Sequence, residues 1–425
     1  MYLKETSLSI NKIMNIHFNT EQQQVHHKYD IVERKGMGHP DTLADMIAED
    51  FSNHYSQYCL KNFGGILNHW ADKVVLSGGT AELDYGFSKI LKPISVYLFG
   101  KAVTSFGDKD IPIDKIFTNS CGRVFTRIFN KEILNTITYH VDINNVVGKE
   151  HKQQFYAPSS KKDILTVESF KSNDTIICSG YAPYSASECL AIDIENYINS
   201  VKFKKRFNFT GFDVKVMIVR IDNFFDITIC VPFIANRTSS FNFYNSKKED
   251  ILKEIKKFIL NIKYFNKQFD FSLSLNTKDF ADHAYLVAFG SALDKGDFGA
   301  VGRGNKYSGV ISLNRKTNIE AVAGKNPQNH SGKLFTIFAH HLAWKIYNVF
   351  HRETSIDITA KNGEDLNNPS HVIINFSDGL PLINKHKVLV EKMVFKDVKK
   401  IKNYANIIMK KDVIKEHIKR NFIYE

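Results

Sequence analysis

The sequence predicts an α+β protein of more than one domain, with helices laid on one face of mixed or antiparallel sheets. Three observations carry that expectation. Apolar residues recur at helical spacing in several stretches, period-two runs bounded by turn residues lie between them, and 425 residues suffice for two or three buried cores. Leu43, Ile47, Phe51, Tyr55 and Tyr58 make the first helical stripe, and Gly64-Gly65 supplies a C-cap. Strand-like runs follow at 73–76 and 94–99, and 213–220 with 225–231 reads as a hairpin about Asp222-Asn223. Ile251, Ile255, Phe258, Ile259 and Ile262 mark another helix, and 334–349 a long apolar one. His340-His341 inside the latter reads as a packed or surface pair rather than a metal site. The runs 372–376 and 387–390 flank Asp378-Gly379 and predict a late hairpin.

Composition fits a reduced compartment such as the cytoplasm. The hydrophobic share is 43% and the charged share 24%, both ordinary globular values. Cys59, Cys121, Cys178, Cys189 and Cys230 are odd in number and scattered without a CxxC pair, which argues against a disulfide or zinc framework. No apolar run has the length of a membrane span, and 1–15 lacks an apolar signal core, with Met14 as an alternative start. The formal charge of +12 raises nucleic acid as a partner, so its location matters. Residues 387–425 hold 11 Lys+Arg against 5 Asp+Glu, a balance of 11 − 5 = +6. Val398, Ile401, Ala405 and Ile408 recur there at helical spacing, so the lysines form the solvated face of a helical tail. No RRM, KH or helix-turn-helix pattern accompanies the charge, and neither nucleic acid nor membrane is expected as a partner.

Two glycine-rich clusters carry the chemistry. In Lys35-Gly-Met-Gly-His-Pro-Asp41, Pro40 presses His39 towards an extended conformation, so His39 and Asp41 can face one ligand beside a helix N-terminus. Gly36 and Gly38 would let a bound group approach the backbone. The plainer alternative is that Asp41 or Thr42 caps the helix and His39 lies on the surface. The second cluster runs from Gly296-Asp297 through Gly302-Arg303-Gly304-Asn305 to Ala323-Gly-Lys325 and Gly332-Lys333. Arg303 between two glycines can reach phosphate with its guanidinium fork, and Lys325 and Lys333 add point charges. Neither a Walker A loop nor a dinucleotide fingerprint is present.

Taken in order, five strings resemble the archaeal-type S-adenosylmethionine synthetases over about residues 30–385. They are Val32 to Asp41, Asp72 to Gly79, Asn173-Asp174-Thr175 leading to Gly180–Ser185, Gly296 to Asn305, and Ala323 to Lys333. The resemblance implies three similar α/β domains around a pseudo-threefold axis, with boundaries interleaved in sequence. The approximate cuts are an extension at 1–27, domains at 28–145, 146–280 and 281–400, and the basic helical tail at 401–425. It implies synthesis of S-adenosylmethionine from ATP and L-methionine, with Mg²⁺ as cofactor and K⁺ left open as a second cation. A homodimer with shared active sites is implied, with a tetramer as the further option. By the same resemblance, His39 would stabilise the leaving oxygen, Arg303 and Lys325 would hold phosphates, and Asp41 would hold Mg²⁺. Lys215 would reach the phosphates from a neighbouring strand. Asp297 would lie by the nucleoside and methionine, Asp174 would receive the methionine amino group, and Gly38, Asp72 and Lys333 would support the substrates. The chain departs from the family at Asn68-His69-Trp70, Lys101, Lys295 and Phe298, where other residues are usual. Such departures leave open a divergent member that uses a methionine analogue or serves as a nucleotide-binding regulatory partner.

Overall fold

The computed structural model describes residues 14–20, 28–146, 156–164, 171–265, 269–280, 283–318 and 320–418. Parts of the extension and of the basic tail, residues 1–13, 21–27 and 419–425, thus lie outside the described residues. The chain divides into two compact units, each assembled from separated segments. The first takes Met1–Val25, Thr166–Pro183 and Asn329–Tyr404, and the second His26–Leu165, Tyr184–Gln328 and Ala405–Glu425.

The first unit holds a four-stranded sheet in the order Asn15–Asn19, His371–Phe376, Thr354–Ala360, Ile176–Ala182. Its first pair is parallel and the other two are antiparallel. The long helix Ser331–Phe350 lies close against this sheet, burying Leu334, Phe335, Phe338, Leu342 and Ile346. At Gly180 the approach leaves no room for a side chain, since a Cβ there would stand 2.2 Å from the His340 nitrogen. His340 is buried and its Nδ1 faces the Tyr181 N–H at 3.4 Å, so it is a packed histidine.

The second unit holds two larger sheets. One runs Asp270–Leu275, Phe224–Cys230, Lys215–Ile221, Tyr29–Lys35, Ile311–Ser312. The hairpin around Asp222 is present, with that residue in the left-handed region at φ 49°. The other runs Phe298–Ala300, His69–Ser77, Ile94–Ala102, Ile137–Asn144. Helix Pro40–Phe63 buries Leu43, Ile47, Phe51 and Tyr55 completely, and Gly64 ends it in the left-handed region at φ 84°. A four-residue spacing puts those side chains on one face, which is why they enter one core.

The late hairpin is not formed. Residues 387–390 belong to the helix Asn384–Val398, where Val390, Met393, Val394 and Val398 point inward. Three- and four-residue steps between those positions favour a helix over the strand suggested by the run Val388-Leu389-Val390. The basic segment that follows is broken into short helices, Ile401–Asn403, Tyr404–Ile408 and Val413–Ile418, and its stripe is buried: Ile401 and Ile408 are each 1% exposed. All five cysteines are free thiols.

Candidate functional site

In the second unit the turn 36–39 is built on backbone contacts. The Gly36 N–H donates to the Val214 carbonyl at 2.6 Å and the Gly38 N–H to the Phe212 carbonyl at 3.1 Å. A Cβ on Gly38 would stand 2.6 Å from the Phe212 carbonyl carbon. The two glycines therefore admit neighbouring protein backbone rather than a ligand. The turn delivers His39 as the N-cap of helix Pro40–Phe63, with φ −68° and ψ 136°. Its Nδ1 accepts the Asp41 N–H at 3.2 Å, so neither Asp41 nor Thr42 is the capping side chain. With Nδ1 as acceptor, the proton of the neutral ring sits on Nε2. Burial lowers the His39 pKa to about 4, with Asp41 opposing that shift and Lys35 and Lys215 adding to it. At neutral pH the ring is an uncharged Nε2–H donor.

Strand alternation sends Val32 and Arg34 into the core and turns Glu33 and Lys35 outward. Lys35 is paired directly with Lys215 on the neighbouring strand. Like charges in that position repel, and two carboxylates offset them. Lys35 Nζ lies 2.8 Å from Asp41 Oδ2, and Lys215 Nζ lies 3.2 Å from Glu33 Oε1. Asp41 Oδ1 receives the Ala300 N–H at 3.0 Å, while Lys35 Nζ also donates to the Arg303 carbonyl at 2.7 Å. Asn305 clamps the Lys35 backbone from both sides, accepting its N–H at 2.9 Å and donating to its carbonyl at 2.7 Å. The Arg303 side chain is exposed. His39, Asp41 and Lys215 are thus brought together, with the Arg303 loop attached through its backbone.

Helix Pro40–Phe63 also organises the later glycine-rich segments. Asp41, Asp45 and Glu49 stand one turn apart, and each accepts one backbone N–H: Ala300 at 3.0 Å, Gly302 at 2.8 Å and Gly324 at 3.1 Å. Burial raises the Asp45 pKa to about 7. The four-residue spacing of these acids was the available sequence signal, together with the alternation of Glu33 and Lys35 on their strand.

Lys325 stands elsewhere in the second unit and does not lie in an open loop. It is 2% exposed, and its Nζ pairs with Glu320 and, at 3.5 Å, with Asp72. Asp72 also meets Lys73 at 2.8 Å. Asp297 is exposed and accepts the N–H of Phe298 at 2.9 Å. In the first unit Asp174 is exposed and accepts the Thr175 N–H at 2.7 Å. Its neighbour Asn173 accepts the N–H and hydroxyl of Ser331 at 2.9 and 3.0 Å, at the start of the helix that carries the buried Lys333. At the departures, His69 is buried against the Ser52 hydroxyl at 2.8 Å, and Lys295 Nζ lies 5.0 Å from the Tyr285 ring centre. Phe298 is 63% exposed.

Comparison with known proteins decides the family. The pattern of S-adenosylmethionine synthetase (AdoMet synthetase) matches residues 12–412. The chain belongs to the S-adenosylmethionine synthetase family. It is 34% identical to the S-adenosylmethionine synthase of Caldivirga maquilingensis, over 80% of this chain and 83% of that protein. The S-adenosylmethionine synthase of Hyperthermus butylicus is 29% identical over 92% of this chain and 95% of its own length. An uncharacterised Streptococcus pyogenes protein is 34% identical over 85% of this chain and 90% of its own. An unusual S-adenosylmethionine synthetase structure from Campylobacter jejuni shares the fold, with a TM-score of 0.56 at 15% identity over 89% and 88% of the two chains.

For this synthetase-family chain, the donor set near His39 can be tested against Mg²⁺. Among the described residues no group of three or more His, Cys, Asp or Glu side chains is arranged to hold a metal. Asp41 offers one oxygen pair, already facing Lys35 and the Ala300 N–H. That set fits a cation carried mainly by phosphate oxygens, since Mg²⁺ is commonly held by one or two carboxylates plus substrate.

Proposed function

We propose that this family member is a methionine adenosyltransferase making S-adenosylmethionine from ATP and L-methionine. The observation that carries the reading is the direct opposition of Lys35 and Lys215 beside the His39 ring and the N-terminus of a 24-residue helix. Two lysines forced together, a neutral donor and a helix N-terminus form a receptor for a polyanion. A triphosphate would take over the lysines from Glu33 and Asp41. The methionine sulfur forms a bond to C5′ of ATP while the C5′–oxygen bond breaks, and its electron pair departs with the triphosphate. His39 Nε2–H donates to that departing oxygen. Asp41 would hold Mg²⁺, which when bound spreads the charge of the triphosphate. Arg303 and Lys325 bind phosphate oxygens, Lys325 after exchanging Glu320 for substrate. Asp297 and Asp72 of the second unit are assigned to substrate support, as are Asp174 and Lys333 of the first. Water then converts the triphosphate to phosphate and diphosphate, in the cytoplasm and in a homodimer.

One observation favours a second reading, a nucleotide-binding member without turnover: the Lys325 ammonium is already paired with Glu320 and Asp72. Incubation with ATP, methionine, Mg²⁺ and K⁺, followed by mass detection of the sulfonium, separates the two. Nucleotide binding with no sulfonium across a panel of methionine analogues would sink the transferase reading.

A further inference from the structure

A buried ion pair in the second unit ties the His39 turn to a segment distant in sequence. Arg34 and Glu195 are both 0% exposed. Arg34 Nε donates to Glu195 Oε2 at 2.9 Å, its Nη1 to the Gly309 carbonyl at 2.5 Å, and its Nη2 to the His417 carbonyl at 2.7 Å. The other oxygen of Glu195 accepts the Met37 N–H at 3.3 Å and the Asn199 amide at 2.7 Å. Asn199 also donates to the Phe212 carbonyl at 3.2 Å, the group that receives the Gly38 N–H. Three segments therefore converge on one pair: the 36–38 turn, the loop containing Arg303 and Gly309, and the short helix Val413–Ile418 that carries His417.

That last segment is attached at several points. Arg127 meets Asp412 at 2.5 Å, the Asn196 amide donates to the Ile418 carbonyl at 2.8 Å, and Ile414 is 8% exposed in the core. A buried guanidinium is tolerated only when its N–H groups have acceptors. Without the His417 carbonyl, Arg34 must shift or admit water, and either change moves Glu195 away from Met37 and Arg34 away from Gly309.

We infer that residues 411–418 are a positioning strap: their His417 carbonyl completes the Arg34–Glu195 pair that holds the His39 turn and the Arg303 loop in register. Glu195 is a positioning residue, acting through the Met37 and Asn199 amides rather than on substrate. Only the activity arm of the test rests on the transferase reading.

The test compares the full chain with a chain ending at Lys410, following amide hydrogen exchange over 35–41, 302–310 and, as reference, 354–376. Exchange over 35–41 and 302–310 should accelerate at least about tenfold, the size of one lost hydrogen bond to a charged group. The reference sheet should be unchanged, and a synthetic peptide of residues 411–425 should restore protection. Unchanged exchange over 35–41 overturns the inference. Should the shortened chain lose the reference sheet as well, Glu195→Gln in the full chain decides. It should loosen 35–41, 302–310 and 411–418 together, and loosening of any one alone overturns the coupling. Sulfonium formation by the shortened chain should fall about a hundredfold and recover with the peptide. A full-length chain that makes no sulfonium refutes the transferase reading and leaves the exchange result to judge the strap.

Discussion

At His39, one backbone hydrogen bond decides what the ring can offer a ligand. Because Nδ1 accepts the Asp41 N–H, the free end is Nε2–H, and burial keeps the ring neutral. The proposed role belongs to a single step, since negative charge on the C5′ oxygen develops only during sulfur attack. His39→Asn should reduce sulfonium formation about a hundredfold or more, while hydrolysis of added triphosphate is largely retained. Asp41→Asn should depress both reactions. Equal losses of both activities in His39→Asn would return the ring to a structural role. A second residue reports on pH. The Asp294 carboxylate receives the Ala288 and Phe289 N–H groups, yet burial raises its pKa to about 7 from 3.8. A carboxyl with a raised folded-state pKa stabilises below its unfolded value, and that contribution is lost as pH rises through the folded one. Asp294→Asn does not titrate, so its melting temperature relative to the unaltered protein should climb between pH 4 and about 7, then level off. A difference independent of pH would exclude a neutral Asp294.

Among elements, helix Pro40–Phe63 and the glycine-rich segments show how far the sequence could be followed. Its stripe, its C-terminal glycine and the hairpin at Asp222 are local patterns, complete within about twenty residues, and all three were readable. The His39 turn could be located but its neighbours could not. Phe212, Glu195 and Asn305 are far away in sequence, and a glycine there says only that something comes close. The run 387–390 misled because three successive apolar residues suit a strand or a buried helix face equally. Lys325 could be placed in a glycine-rich segment but not paired, because no local pattern marks Asp72 and Glu320, which enclose its charge. Gly324 is held by Glu49, and the Lys325 carbonyl by the Ser52 hydroxyl at 3.0 Å, so the segment belongs to the helix face. Lys325→Ala should therefore cost stability as well as activity. Glu320 is 38% exposed, so solvent discounts its share. A loss of about 1–3 kcal/mol in denaturant unfolding is expected. An unaltered midpoint would mean that the lysine is easily released to a ligand.

On the scale of the whole molecule, one sheet of the second unit presents aromatic side chains outward. Phe99 and Phe298 are 40% and 63% exposed, and Tyr97 stacks on His140 with ring centres 4.5 Å apart. Large exposed apolar surface marks association, and sedimentation at micromolar concentration should show a dimer or larger species. A fully active monomer would contradict shared sites. The first unit carries a different consequence. Its strand Asn15–Asn19 lies parallel to His371–Phe376, so each residue of the earlier strand waits for a partner 356 positions later, Asn15 for His371 (371 − 15 = 356). On the ribosome that sheet cannot close until residues 371–376 have been translated. The strand Asn15–Asn19 must be kept from other partners until then, so growth at low temperature or with added chaperone should raise the yield of folded protein.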